Sequence, residues 1–277
     1  MGVVIMAFCW VLAFLLPSFA VLPDVVWRLN GFFAHSQRLA LFSAASALIA
    51  TVFYLNALKS KEYNDIISTR ILKFIIFFSF VTLAATQARA FTMSFMITYA
   101  LLLYAHYKSH VKVVYIIFII TSSFIVYANI DFIMETFSRG DVADASLTGR
   151  VPTWLFAIEL IEEQPLYGYG FGSFFSDLTI EPGRQYVSPH AHNSWINASL
   201  ETGYVGAILM SLFLVFSISN AIKYQKVTKK LSYSLFIIIF ILFCGLTGVV
   251  IGGKVTTLLG FSLLVYSIEM RALKNAC

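Results

Sequence analysis

Charge is what this chain has least of. Only 12% of its 277 residues are Asp, Glu, Lys or Arg, whereas 59% are hydrophobic, a proportion that one water-soluble core cannot bury. Its basic residues form no tract interleaved with aromatics, so nucleic acid is not an expected partner. Cysteine is scarce too. Cys9 and Cys244 fall inside apolar runs and Cys277 ends the sequence; with no metal-ligand spacing among them, no disulfide framework is indicated. No Lys or Arg precedes Arg28, so the positive region of a signal peptide is lacking, and Met6 breaks the myristoylation pattern. The first apolar run is therefore expected to be a retained span. Stretches of alternating polarity are lacking as well, which removes a membrane β-barrel.

What is present in quantity is apolar length. With a mean hydropathy of +0.83 and 27 phenylalanines, the chain reads as a polytopic membrane protein. Runs near bilayer-spanning length lie at 1–22, 39–58, 71–86, 91–107, 113–134, 204–222, 231–250 and 255–270. The hydrocarbon offers no water to satisfy amide groups, so helices are the expected spanning form. The expectation is an all-α membrane helix bundle of about eight transmembrane helices. It forms a single integral membrane domain over 1–277, with one long hydrophilic loop at 135–203.

Short loops rich in Lys and Arg stay on the cytoplasmic side. By this rule Lys59, Lys61, Arg70, Lys73, Lys108, Lys112, Lys223, Lys226, Lys229, Lys230, Arg271 and Lys274 mark the inner side. Arg28, Arg38, Arg89, Arg139, Arg150, Arg184 and Lys254 fall outside. The inner set is mostly lysine and the outer mostly arginine. Lysine serves as a topological point charge, whereas the planar fork of arginine suits bidentate recognition of carboxylate or phosphate. The outer face is the expected working face.

The loop from Glu135 to Gly203 lies on that outer side, and long loops inside compact membrane domains commonly carry function. It opens with SRGDVADASLTGR, whose Ser, Gly and Asp discourage regular structure. In VPTWLFAIELIEEQP, residues Val151, Trp154, Leu155, Ile158 and Ile161 recur at helical spacing and Pro165 supplies a stop. Too short to span, this run is expected to be an amphipathic helix at the outer interface. GYGFG at 168–172 has no strand before it and no Gly-Lys-Ser/Thr after it, so a flexible aromatic turn is expected rather than a phosphate loop.

The polar groups concentrate in SPHAHNSWINASLETGYVG, residues Ser188 to Gly206. A helix starting near His192 and running into the sixth span brings 192, 196, 199, 203 and 206 close to one line. His192 then stands above a stripe of Ile196, Ser199, Gly203 and Gly206, and small residues let a helix or lipid chain approach. The plainer account of a lone loop histidine is an interfacial residue, and Arg28, Arg38 or Arg89 can snorkel to headgroups. His190 and His192 form His-x-His, a pair that faces one way on a strand but not on a helix, with no second cluster beside it; no metal is expected. Glu159, Glu162 and Glu163 share one short helix and read as its polar face rather than a glycosidase pair. Glu201 stays open between a cap, an acceptor-positioning group and simple hydration.

HNSWINASLETGYVG resembles the signature of the O-antigen ligase and polymerase family. That signature is a His followed by Asn, Ser or Gln, nine residues, Gly, two residues, then Gly, Thr or Tyr; here His192, Asn193, Gly203 and Gly206. TGRVPTW is similar to the family's loop arginine and tryptophan, at Arg150 and Trp154. TQARAFT resembles its short outer turn, at Arg89, with Ala88 and Ala90 in place of the usual small polar neighbours. PLYGYGFGSF resembles the glycine-rich run before the histidine. RLNGFFAHSQRLA resembles another outer turn, keeping Arg28 and Gly31 but not its Pro-Asn.

The resemblance implies transfer of a glycan from undecaprenyl diphosphate to lipid A-core or another glycan acceptor, on the periplasmic face of the bacterial inner membrane. The residues suit that chemistry. A histidine titrating near neutrality can take the proton of an acceptor hydroxyl, and His192 is the candidate base. Arginines can stabilise the charge gained by a leaving diphosphate; Arg150 and Arg89 are the candidate clamp, with no metal or other cofactor. Arg28, Trp154, His190, Asn193 and Glu201 are candidates for substrate contact, and Gly203 and Gly206 for the groove. Single-displacement inversion at the anomeric carbon is a family expectation. Ligation to a core lipid and polymerisation of carrier-linked repeats both fit. A transporter or lipid scramblase is a third reading, weighed against by charges that lie almost entirely at span ends.

Overall fold

The computed structural model describes residues 2–22, 28–33, 35–59, 67–107, 150–173, 191–251 and 257–276. The predicted span at 113–134, the loop at 138–149, His190, Arg139, Arg184, and Lys61, Lys108, Lys112 and Lys254 lie outside the described residues.

The described chain is an all-α membrane fold. Its helices are α1 (Gly2–Leu15), α2 (Pro17–Ala20), α3 (Ser36–Lys59), α4 (Thr69–Thr86), α5 (Arg89–His106), α6 (Arg150–Glu163), α7 (Ser194–Thr228), α8 (Tyr233–Gly245) and α9 (Thr257–Ala276). Among the described residues α3, α4 and α7 are long and apolar enough to cross a membrane, and α1 and α8 are shorter apolar helices. The predicted span 1–22 is interrupted. α1 stops at Leu15 because Pro17 has no N–H to continue it and pushes Leu16 out of the helical region, to φ −135° and ψ 66°. After α2 the chain forms a two-residue antiparallel pair, β1 (Val21–Leu22) with β2 (Arg28–Leu29), in which Val21 faces Leu29.

α3 is the central helix. Over its most apolar 18-residue stretch it is 67% buried, against 28% for that of α4 and 17% for that of α7, and its buried positions include Ala40, Ser43, Ala44, Ala47 and Thr51. Small residues allow close helix approach where lipid supplies no hydrophobic drive. Ser43 and Thr51 donate to the carbonyls of Leu39 and Ala47, each at 2.8 Å, so their hydroxyls are satisfied within the helix. Phe95, Phe236, Phe240 and Leu102 fill the remaining volume. α7 leaves Ile208, Leu209, Leu212, Val215 and Phe216 exposed, the pattern of a helix solvated by lipid tails.

One end of the bundle is tied by polar side chains. Asn56 donates to the Leu231 carbonyl at 3.0 Å and accepts from the Leu231 N–H at 2.8 Å. Buried Glu269 accepts from the Ser232 hydroxyl at 2.7 Å, from the Tyr233 N–H at 2.6 Å and from the Ser234 hydroxyl, closing the start of α8 against α9. The described lysines, Lys59, Lys73, Lys223, Lys226, Lys229, Lys230 and Lys274, occur in helix turns or loops at this end. At the opposite end stand Arg28, Arg38, Arg89 and Arg150, in β2 and in the first turns of α3, α5 and α6.

Candidate functional site

The arginine end is organised around the start of α7. Asn193 is the N-cap: its side-chain oxygen accepts from the N–H groups of Trp195 at 2.9 Å and Ile196 at 3.2 Å, satisfying two helix-end donors. The helix thus begins at Ser194, after His192 and not at it. His192 has φ +52°, in the left-handed region, a conformation that costs about 1–3 kcal/mol and persists only where its surroundings hold it.

Ser194 is fully buried. Its hydroxyl donates to the Gly248 carbonyl at 3.0 Å and accepts from the N–H groups of Val250 at 3.0 Å and Ile251 at 3.2 Å. Asn193 adds a bond from its amide to the Leu246 carbonyl at 3.4 Å. The turn after α8 is therefore held on the α7 cap. The other side of that turn meets α5, where a Cβ on Gly248 would lie 2.9 Å from the ring of Phe91. Phe91 is two residues beyond Arg89, which opens α5 half-buried, after the left-handed Gln87. The turn at 246–251 is thus the spacer between the Arg89 and His192 termini.

The continuous stripe expected from His192 to Gly206 does not form, because α7 breaks at Gly203, with φ +65° and ψ −175°. The glycine-rich run seals the break. Tyr169 and Gly170 donate their N–H groups to the carbonyls of Leu200 and Glu201, both at 2.9 Å, and Tyr204 donates to the Pro165 carbonyl at 2.7 Å. A Cβ at Gly203 would strike the backbone of Leu166 and Tyr167, and one at Gly206 would strike the Thr202 side chain. The expected groove at Gly203 is filled by the backbone of Leu166 and Tyr167. GYGFG is likewise a docked strap, not the flexible turn expected.

Glu201 is buried, and its carboxylate accepts from the Gly172 N–H at 3.1 Å; the hydration reading of this residue does not hold. α6 packs on the first part of α7 through Ala157 and Ile161, with Trp154, Tyr169 and Ile196 around them. The apolar stripe predicted for α6 is divided: Leu155 and Ile158 are exposed. Trp154 donates its indole N–H to the Ala191 carbonyl at 2.6 Å, and Arg150 opens the helix one turn earlier. Tyr169 donates to Glu163 at 2.8 Å, and its phenol is held above the usual tyrosine range, first by desolvation and then by that carboxylate.

Arg28 lies half-buried in β2, beside the cluster of Cys9, Leu29 and Leu39 that packs on Ala85 near the end of α4. Arg28, Arg89, Arg150, Trp154, His192, Asn193 and Glu201 therefore share one end of the fold. Among the described residues no three His, Cys, Asp or Glu side chains cluster as a metal would require. Along α7, Trp195, Tyr204, Ala207, Ile208, Ser211, Leu212 and Val215 line an open apolar groove of about 340 Å³. The sequence reading missed Ser194 and Asn197; both are polar residues buried in an apolar helix, and that anomaly is the signal that could have found them.

A polytopic helical membrane protein with a polar site gathered at one end of its bundle is the class these features define. Residues 74–211, about half of the chain, match the family model described as O-antigen ligase. The chain belongs to the O-antigen ligase and polymerase family. It is also similar to the exopolysaccharide production protein ExoQ of Rhizobium meliloti (strain 1021), with 32% identity over 107 residues. That alignment covers 35% of this chain and 24% of the relative, so the chain spans about a quarter of the curated relative it matches.

Proposed function

We propose that the protein is a membrane glycosyltransferase of polysaccharide biosynthesis, acting at the periplasmic face of a bacterial inner membrane. It moves a glycan from undecaprenyl diphosphate to an acceptor hydroxyl, in the manner of an O-antigen ligase. His192 takes the proton of that hydroxyl as its oxygen attacks the anomeric carbon. The bond from that carbon to the diphosphate breaks, and its electron pair leaves on the diphosphate oxygen, where Arg89 and Arg150 stabilise the charge. Single displacement inverts the anomeric centre. Arg28, His190, Asn193 and Glu201 are proposed to line or support the substrate path, and the groove from Trp195 to Val215 offers an apolar surface to the carrier's chain.

The observation that carries this reading is the convergence of the Arg89 and His192 helix starts on one turn, 246–251, with α6 docked beside them. The test uses purified protein in lipid with a carrier-linked oligosaccharide, together either with core lipid or with excess donor. His192→Ala is expected to abolish transfer with protein level unchanged; retained transfer removes the base. Product on core lipid supports ligation. Elongation of the donor supports polymerisation, the second reading, which the exopolysaccharide name of the relative favours. No product with either acceptor, alongside donor translocation, replaces both with a transporter. Activity is expected to survive a chelator, and strict divalent-cation dependence overturns the metal-free step.

A further inference from the structure

We propose that Trp154 and Asn197 are positioning residues for His192, acting through the backbone of Ala191. The inference rests on His192 being the base. Ala191 is fully buried and both of its backbone groups are engaged. Its carbonyl accepts the Trp154 indole N–H at 2.6 Å, and its N–H donates to the Asn197 side-chain oxygen at 3.5 Å. On the other side of His192, Asn193 is fixed as the helix cap, and its carbonyl accepts the Asn197 N–H at 3.0 Å. His192 thus stands between two immobilised neighbours, and its left-handed φ of +52° is the conformation those anchors impose. A non-glycine residue in that region relaxes once released.

Two features distinguish this role from substrate contact. The one polar atom of Trp154 is spent on Ala191, and its ring packs against the cluster of Ala157, Ile161 and Leu200. Asn197 is only 1% exposed, so a sugar cannot reach its amide while the loop is in place. Trp154 also sits one turn after Arg150 in α6. The same hydrogen bond therefore ties the helix that carries the proposed clamp to the loop that carries the proposed base.

The test is steady-state transfer by full-length protein in lipid, with carrier-linked oligosaccharide as the varied substrate. Trp154→Phe keeps the ring and deletes the N–H. It is expected to lower kcat by about tenfold to a hundredfold, the effect of a misplaced catalytic group, with KM unchanged. Asn197→Leu is expected to do the same, and Asn197→Asp, which keeps the accepting oxygen, to restore turnover. The Trp154→Phe/Asn197→Leu double variant should lose little more than either single one, since both act through one residue. A raised KM with unchanged kcat makes Trp154 a substrate contact and overturns the proposal, as does additive loss in the double variant. Wild-type kcat in Trp154→Phe, with His192→Ala inactive, sinks the positioning role alone. Retained transfer in His192→Ala sinks the reading beneath it.

Discussion

Gly168 and Gly203 meet backbone to backbone: a Cβ on Gly168 would lie 2.7 Å from the amide nitrogen of Gly203, inside any contact a real side chain makes. Both glycines have left-handed φ, 64° and 65°. The strap and the broken helix are therefore one unit, each supplying hydrogen-bond partners that the other's irregular backbone leaves over. Backbone groups that a helix break leaves without intrahelical partners must be paired elsewhere, and here the strap pairs them.

Gly203→Ala should consequently be far worse than Gly170→Ala. At Gly203 the left-handed backbone costs about 1–3 kcal/mol, and collision with Leu166 and Tyr167 adds about 1–3 more. Gly170 also has positive φ but faces open space, leaving a backbone cost of about 1–2 kcal/mol. Thermal unfolding in detergent and proteolysis of the strap compare them; equal destabilisation would mean that the strap is not docked as described.

That pairing also marks what sequence could and could not reveal. The extents of α3, α4 and α5 follow from apolar run length: the expected spans 39–58 and 71–86 fall within α3 and α4, and 91–107 overruns the end of α5 by one residue. Arg89 and Arg150 stand at helix starts, where motif position put them in an outer turn and a loop. The break in α7 was illegible because helical periodicity runs through Gly203 undisturbed. Its stabilising partner is the loop some forty residues upstream, and no local pattern records that contact. The grip of Ser194 on Gly248, Val250 and Ile251 is hidden for the same reason.

Tyr169 sets a pH limit on the strap. Desolvation and the Glu163 carboxylate hold its phenol above the ordinary tyrosine range. Because the folded value is raised above the unfolded one, the neutral hydroxyl's stabilisation is complete below about pH 10. It is lost as pH climbs through the folded value. The stability difference between wild type and Tyr169→Phe should be flat from neutrality to that point and shrink above it. A difference that falls on acidification would assign the effect to another group.

Glu269 should matter for stability and not for turnover. Glu269→Leu removes the acceptor shared by the Ser232 and Ser234 hydroxyls and the Tyr233 N–H; the two hydroxyls still bond each other, so the expected loss is about 2–3 kcal/mol. Glu269→Gln keeps one accepting oxygen and should recover part of the loss. Since these contacts lie at the lysine end, the folded fraction of either variant should transfer glycan at the wild-type rate. Measuring yield and kcat on the same preparation separates the two quantities, and a lowered kcat would tie this end to the site.

Ser194→Ala is the complementary case. It removes one donor and one acceptor that together serve Gly248, Val250 and Ile251, and burial prevents water from replacing them. A loss of about 2–3 kcal/mol follows from the orphaned N–H groups, comparable to that in Glu269→Leu. The consequence differs because the turn at 246–251 spaces the Arg89 terminus from the His192 terminus. Once it loosens, the proposed base and clamp lose their separation, and kcat should fall about a hundredfold, the effect of a displacement near 1 Å. At matched folded fraction, Ser194→Ala should thus be slow where Glu269→Leu is not. Equal turnover in the two variants would show that the turn holds the bundle together without setting the geometry of the reaction.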